Sequence, residues 1–469
     1  MLHPLVGISG LISKSTNKEA LDILQKMSKK ISHRGEERTF EFTLDEDSTV
    51  VIKVRSHPFE SFLSKADSEG ILLLEEIGQE NKESDIPLEA YSPNSFLLAV
   101  NREGIEVRRH SRSMRALYYV KTDQVVLFAS ERKALWEVTN QSSKSLQPGH
   151  RLRTTGFGEP TIIEDEKEES PLIVRNRPRE KVIEQLAAAL KESFSRITGR
   201  RVGVLFSGGV DSSLVALLAQ EVCEEVLLYS ASSQQFHDRV AAASSAEELG
   251  MNLNSIEINE GVVWEILPHL IYAIESAHLL DVEIALPFYL ASKQASEDGI
   301  SIMLSGQGPD ELFAGYARHV KILEEEGQNA LDTQLWNEAK ETHEVNIERD
   351  DRAIAVNGIG SFFPYLSTSF VDLALSIPSE WKIRLGPQPE RKVIFRELAR
   401  HLGLPESICI SPKKATQYSS GSSRILMKSL LENVNGMKDI PKKRQKAKAQ
   451  EYLYSLASEL GMHNATSEK

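Results

Sequence analysis

Cysteine is nearly missing from this chain: Cys223 and Cys409 are the only two among 469 residues. With no CxxC pair, neither a disulfide framework nor a thiolate zinc site can be assembled from them. Long apolar runs are missing too. No segment approaches the ~20 consecutive apolar residues that a bilayer-spanning helix needs. The N-terminus, MLHPLVGISGLISKSTNKEA, has no basic region leading into an apolar stretch and a cleavage site. The expected location is cytoplasmic, with no membrane partner. An excess of positive charge is the third absence, since 55 Lys and Arg face 68 Asp and Glu for a net charge of −13. That argues against a general nucleic-acid binder, although a local basic patch stays open. What remains suits a folded protein: 41% hydrophobic residues fill cores, and 26% charged residues cover them. The length exceeds one compact core and predicts two or three domains.

Residues up to about 160 read as short strands and turns. Phe96 to Val107 holds two apolar stretches around Asn101-Arg102-Glu103-Gly104, a hairpin signal, and Ala116 to Ala129 repeats it around Lys121-Thr122-Asp123-Gln124. Leu21, Leu24, Met27 and Ile31 recur at helical spacing and predict a helix from Lys18 to Ile31. Residues 163–173 contain the acidic run Ile163-Glu164-Asp165-Glu166-Lys167-Glu168-Glu169-Ser170-Pro171, which buries nothing and reads as a linker. From 174 to 425 strands alternate with helices. Lys181 to Ile197, Ser212 to Cys223 and Asp238 to Leu249 read as helices, and Val202 to Phe206, Val226 to Ser230 and Ser301 to Leu304 as strands. Such alternation predicts βαβ units around a parallel sheet. A helical extension, 426–469, follows. Its basic run Lys442-Lys443-Arg444-Gln445-Lys446-Ala447-Lys448 reads as a solvated helical face, with a phosphate or RNA contact as the alternative.

The segment Val202 to Gln220, VGVLFSGGVDSSLVALLAQ, carries the most chemistry. A buried strand ends in Ser207-Gly208-Gly209-Val210-Asp211-Ser212-Ser213 and a helix follows. Free backbone N–H groups at such a turn and the helix dipole favour an anion. Glycines let the backbone approach it closely. The hydroxyls of Ser207, Ser212 and Ser213 add donors. Asp211 suits a phosphate site only with a divalent cation between them. A bare S-G-G turn is often no more than a tight bend. The whole string instead resembles the pyrophosphate loop of N-type ATP pyrophosphatases. It is not a Walker A loop, for no G-K-[ST] follows the glycines.

Ile302 to Arg318, IMLSGQGPDELFAGYAR, repeats that grammar: an apolar strand, Ser305-Gly306-Gln307-Gly308, then Asp310 and Glu311 opening a helix. A second carboxylate at a strand end could hold the cation from the other side, as Mg²⁺ takes one or two carboxylates plus phosphate oxygens and waters. The lesser alternative is that Asp310 serves only as an acidic helix N-cap. Together the two loops resemble the asparagine synthetase family and its β-lactam synthetase relatives, whose S-G-x-G-x-D-E-L/V-F-x-G-Y matches Ser305 to Tyr316. Asn346, Arg349, Asp350 and Arg352 fall where the family has a polar helix, Lys392 to Arg396 resembles its K-x-x-x-R, and PKKATQYSSG from Pro412 its late lysine loop. Upstream, His33-Arg34-Gly35, Phe128-Ala129-Ser130-Glu131 and Pro148-Gly149-His150 are similar to the family's H-R-G, F-A-S-E and P-G-H. Tyr316-Ala317-Arg318-His319 and the Pro412 loop look most like divergent asparagine synthetase domain-containing relatives.

The resemblance implies an α/β fold. A C-terminal parallel-sheet ATP pyrophosphatase (adenine nucleotide alpha hydrolase-like) domain would follow an α+β N-terminal-nucleophile-type sandwich domain at 1–162. It implies ATP and Mg²⁺, with Ser207, Gly208, Gly209, Asp211, Ser212, Ser213, Ser305 and Gly306 on the phosphates. Leu228 and Ser230 would lie along the adenine, and Asp211 and Asp310 would hold the metal. Lys392 and Lys414 would offset charge at the reacting phosphorus, and Glu275, on an apolar helix with Ile271 and Ile274, would accept a proton from the attacking nitrogen. The partners implied are a small carboxylate, aspartate or a related acid, and ammonia or an amine, in a chain compatible with a homodimer.

Two departures narrow this. The family's glutaminase starts M-C-G-I, and aligning Gly7-Ile8-Ser9-Gly10 puts Val6 at the cysteine; no cysteine precedes Cys223. A valine cannot form a thioester. Leu74, Glu75 and Glu76 replace the family's N-G-E, removing the asparagine and glycine of an oxyanion hole. The glutaminase-like domain is expected not to hydrolyse glutamine. In the substrate segment, E-x-R-x-P-F-L-D becomes Gly360-Ser361-Phe362-Phe363-Pro364-Tyr365-Leu366-Ser367, and phenylalanine cannot clamp a carboxylate as arginine does. The leading expectation is an AMP- and pyrophosphate-forming amide ligase. A tRNA-modifying pyrophosphatase and a non-catalytic nucleotide-binding scaffold are the alternatives.

Overall fold

The structure is a computed structural model that describes residues 7–13, 18–43, 49–56, 62–63, 71–76, 96–101, 104–109, 113, 115–123, 125–154, 160–164, 172–233, 237–411 and 420–463. The chain divides into two compact units. One comprises Met1–Glu168, Pro268–Leu279 and Gln450–Lys469, the other Glu169–Leu267 and Leu280–Ala449.

The first unit carries two antiparallel sheets. Strands β1 (Gly7–Ser13), β2 (Glu36–Thr43), β3 (Thr49–Ser56), β4 (Phe62–Leu63), β5 (Ile71–Glu76), β6 (Phe96–Asn101) and β7 (Gly104–Arg109) are followed by β8 (Tyr118–Lys121), β9 (Val125–Ala129), β10 (Lys144–Ser145), β11 (His150–Thr154) and β12 (Thr161–Glu164). The sheet orders are β10-β8-β9-β1-β3-β2 and β12-β11-β7-β6-β5-β4. Both expected hairpins form, with Asn101 opposite Gly104 in one and Lys121 opposite Val126 in the other. Alternation along β1 explains the layering. Ile8 and Ile12 join Val50, Ile52 and Phe128 against Ile105, Val107 and Leu152 of the second sheet. Leu11 points the other way, into a cluster with Leu24, Met27 and Ile31 at the helix Lys18–Lys30. Gly10 lies under the Phe128 ring, where an added Cβ would fall 2.0 Å from a ring carbon. The result is a sandwich with a helix over one face. Strand β12 takes in residues 163 and 164 of the expected linker, while 165–171 lie outside the described residues.

The second unit is built on a five-stranded parallel sheet, β13 (Arg201–Leu205), β14 (Glu225–Ser232), β15 (Leu253–Glu257), β16 (Ile302–Leu304) and β17 (Gly360–Phe362), in the order β15-β14-β13-β16-β17. From β13 the chain builds outward through β14 and β15, then returns to the other side of β13 with β16 and β17. Strand order therefore reverses between β13 and β16, and a crevice opens beyond their carboxyl ends. The helix after β13 spans Val210–Val222, two residues earlier than its apolar pattern suggests, so Asp211 lies in its first turn. Strand β17 is a difference of kind. The segment compared with the family's substrate segment begins as a buried strand that the alternation of elements did not predict, with Phe362 packed edge-on against Phe194 at 6.2 Å.

Candidate functional site

The first loop leaves the sheet as the Phe206 N–H donates to the Tyr229 carbonyl at 2.8 Å. Gly208 adopts φ +74°, and a Cβ there would sit 2.7 Å from the Ala241 carbonyl oxygen, so only glycine fits. The Gly208 carbonyl accepts the Ser245 hydroxyl at 2.9 Å. Ser212 Oγ accepts the Ser207 N–H at 3.2 Å and donates to the Gly209 carbonyl at 3.3 Å, closing the loop over the helix start. Gly209 is the N-cap, and no side chain caps the first-turn amides. An open helix N-terminus behind a glycine turn is a site for an anion.

The second loop follows β16, where the Ser305 N–H donates to the Phe362 carbonyl at 2.9 Å. Gly306 brings the two loops together: a Cβ there would lie 3.0 Å from both the Asp211 carbonyl carbon and the Ser212 nitrogen. The short helix Pro309–Leu312 then presents Asp310. Asp211 and Asp310 converge on one ammonium. Lys392 Nζ lies 2.9 and 2.7 Å from the Asp211 carboxylate oxygens and 2.8 Å from Asp310 Oδ1. Tyr365, fully buried, donates its hydroxyl to the Asp211 carbonyl at 2.8 Å.

A buried polar layer holds the second loop from behind. The Gln307 amide donates to Asp350 at 2.6 Å, and Asp350 pairs with Arg349 at 2.8 Å. Burial pushes the Asp350 carboxyl up, against the opposing pull of Arg349. Glu311 accepts the Tyr316 hydroxyl at 2.5 Å and the Asn346 amide at 2.9 Å. Burial, aided by Asp310, pushes its carboxyl up to about 7. Asn346 sits in a π-helical turn, His343–Ile347, between the helices Gln328–Thr342 and Glu348–Ala355.

A cleft opens where the loops meet. Ser207, Asp211 and Ser212 line it from the first loop, and Ser305, Gly306, Gln307 and Asp310 from the second. Tyr229 and Ser230 contribute from β14, and Phe288 from the helix Leu279–Glu297. Of the expected residues, Gly208 and Gly209 shape the loop without lining the cleft. Ser213 is fully buried, and its hydroxyl has no hydrogen-bond partner among the described residues. Leu228 lies two positions before Ser230 on β14 with its side chain wholly in the core. Lys392 reaches the two aspartates and is itself only 1% exposed. Lys414 lies outside the described residues. Glu275 falls elsewhere: it belongs to the first unit, in left-handed backbone, and its carboxylate accepts the Lys133 N–H at 2.9 Å. It is absent from the cleft, because an apolar helix marks a core without saying which. Tyr365 and Gln307 were the residues that charge and loop grammar did not single out, although both stand inside matched segments.

The donor set fits a small hard cation that shares its ligands with phosphate. Among the described residues no three His, Cys, Asp or Glu cluster to hold a metal alone. Asp211 and Asp310 already face one point from two loops, and Mg²⁺ asks for no more protein than that. Among the described residues no helix is long and apolar enough to cross a membrane.

Comparisons with known proteins identify the family. The asparagine synthase family model matches residues 181–327 and 321–460. A protein of Methanocaldococcus jannaschii named "Putative asparagine synthetase (glutamine-hydrolyzing) 1" is 33% identical over 413 residues, covering 78% of this chain and 75% of that protein. Asparagine synthetase (glutamine-hydrolyzing) 2 of Arabidopsis thaliana is 27% identical over 281 residues, 56% of this chain and 46% of its own length. Matching solved structures are distant. The NH3-dependent NAD synthetase of Campylobacter jejuni shows 16% identity and a TM-score of 0.26, over 60% of this chain and 96% of its own. NMN synthetase of Francisella tularensis shows 11% and 0.29, over 63% and 99%. With two glycine loops joined across the switch point of a parallel sheet, and a family match spanning that whole unit's core, the chain belongs to the asparagine synthase family.

Proposed function

We propose that the protein is an ATP-dependent carbon–nitrogen ligase that adenylates a carboxylate and passes the acyl group to ammonia or an amine, without hydrolysing glutamine itself. The convergence of Asp211 and Asp310 from two loops at the sheet's switch point carries this reading. A substrate carboxylate oxygen attacks the α-phosphorus of ATP. The bond from that phosphorus to the bridging oxygen breaks, and pyrophosphate leaves. The nitrogen then attacks the acyl carbon, AMP departs, and the nitrogen gives up a proton. Ser207, Ser212 and the open amides at the start of the helix Val210–Val222 would hold the leaving pyrophosphate. Asp211 and Asp310 would hold Mg²⁺, which offsets phosphate charge when bound. Ser230 and Tyr229 would border the nucleoside, with Phe288 as apolar wall. Lys392 would meet the charge that spreads over the phosphoryl oxygens.

The unit that holds the glutaminase-like motifs contains no cysteine at all. Cys223 and Cys409 belong to the other unit, and burial pushes the Cys223 thiol up to about 11, away from reactive thiolate. The nitrogen source is therefore ammonia or an amine. The carboxylate is left open by Phe362, whose ring lies in the core where the family places an arginine. The test is incubation with ATP, Mg²⁺, ammonia and a panel of amino and carboxylic acids, reading AMP and pyrophosphate. Stoichiometric release with at least one acid, abolished in Asp211→Asn, is expected. ADP formation, or nucleotide binding with no turnover for any acid, contradicts the reading.

A further inference from the structure

The contact between Lys392 and the two aspartates has a consequence for the order in which cation and nucleotide enter. One ammonium faces two carboxylates from 2.7, 2.8 and 2.9 Å, with the lysine 1% exposed. Its backbone is held in the left-handed region at φ 58°, unusual for a residue with a Cβ. Two hydrogen bonds keep it there: the Val393 N–H donates to the Lys382 carbonyl at 2.9 Å, and the Arg396 N–H to the Lys392 carbonyl at 2.8 Å. Gly315 leaves the room for this placement. A Cβ at 315 would lie 1.9 Å from Asp310 Oδ1 and 2.4 Å from Lys392 Cε. The geometry thus builds a cation from the chain itself into the point that Asp211 and Asp310 share.

A free divalent ion could take that point only by driving the ammonium off both carboxylates. That would strand a buried positive charge beside a second one, which is costly. A polyphosphate changes the balance, because its oxygens supply new partners for the ammonium and new ligands for the metal at once. We propose that Lys392 is a stand-in for the metal: it holds the two carboxylates together in the nucleotide-free protein, excludes a free divalent cation, and moves onto phosphate when the metal arrives bound to ATP. Metal then enters only as its nucleotide complex. This rests on the reading of Asp211 and Asp310 as metal ligands, and extends it to a rule of binding order.

The test uses the full chain and Mn²⁺ as probe, read by the electron paramagnetic resonance of the free ion. Wild type and Lys392→Gln are titrated with and without the non-hydrolysable α,β-methylene analogue of ATP. Glutamine keeps a hydrogen-bond donor near the carboxylates but no charge. Expected is no one-to-one Mn²⁺ site in wild type without nucleotide, such a site with nucleotide, and a nucleotide-free site in Lys392→Gln tighter by about tenfold or more. A one-to-one nucleotide-free Mn²⁺ site in wild type, as tight as the site formed with nucleotide, overturns the proposal. That arm uses wild type alone and decides even if Lys392→Gln fails to fold. Absence of Mn²⁺ binding with nucleotide in both proteins would instead overturn the metal role of the aspartates.

Discussion

Three glycines do the work that lets two loops share one site. Gly208 supplies a left-handed turn against the Ala241 carbonyl, Gly306 lets the second loop touch the first, and Gly315 makes room for a lysine stem. Replacing Gly208 by alanine would force a Cβ to within 2.7 Å of a backbone oxygen while keeping φ near +74°. The left-handed conformation alone costs about 1–2 kcal/mol. Gly208→Ala is expected to lower the melting temperature and to weaken ATP binding, because the loop must shift to relieve the contact. An equilibrium binding titration with unchanged affinity would show that the loop tolerates the Cβ and that its shape is not what holds the nucleotide. Gly208 and Gly306 were legible in the sequence as glycines between an apolar strand and a helix, whereas Gly315 stood only within the match to the family's F-x-G-Y. The partners of charged residues were not. Glu311, Arg349 and Asp350 look in sequence like the wet face of a helix, and nothing local reveals that all three are buried.

Among the elements, the helix Glu348–Ala355 does most to position the second loop. All eight of its residues are buried, including Glu348, Arg349, Asp350, Asp351 and Arg352. The π-helical turn before it widens the helix by one residue, as such turns do near functional sites. Asn346 and Asp350 can then both reach the second loop, at Glu311 and Gln307. Arg349 binds Asp350 at 2.8 Å and Asp281 at 3.5 Å, and its loss leaves two buried carboxylates short of a cation. Arg349→Met is expected to cost about 3–5 kcal/mol at neutral pH. The cost should shrink in acid. Burial already raises the Asp350 carboxyl, so the folded variant takes up a proton that the unfolded chain binds less well, and its stability falls as pH rises through that window. Chemical denaturation of both proteins at pH 5 and pH 8 reads this directly; an equal gap at the two values would mean that Asp350 does not titrate. The same scale explains a strand that pattern missed, as it also missed β15. Gly360-Ser361-Phe362 is short, begins with glycine and runs to Pro364, which reads as loop, yet pairing with β16 makes it the sheet's edge.

In the whole molecule the two units differ in what they retain. The second has its loops, its paired aspartates and its lysine in one place. The first keeps its layers and a buried ion cluster, in which Glu131 binds Arg34 at 2.5 Å and His33 at 3.0 Å. Burial opposes ionisation of Glu131, but Arg34, His33 and Lys133 outweigh it and hold the carboxyl well below its usual range. Two sequence motifs of that unit, His33-Arg34-Gly35 and Ser130-Glu131, are thereby joined in one buried cluster. The readable part was the valine where the family has its cysteine, which carries the proposal that this unit does not hydrolyse glutamine. The divided membership of residues 268–279 was not readable, because an apolar helix has the same pattern in either unit.

The most direct measurement supplies nitrogen in two forms. With ATP, Mg²⁺ and the active carboxylate, amide product is followed with ¹⁵N-ammonia or with glutamine labelled in its side-chain amide, alongside glutamate release. Label should enter the product from ammonia alone, with one AMP per amide formed and no glutamate released from glutamine. Transfer of the glutamine label, or amide formation that yields ADP and phosphate in place of AMP and pyrophosphate, would contradict the account.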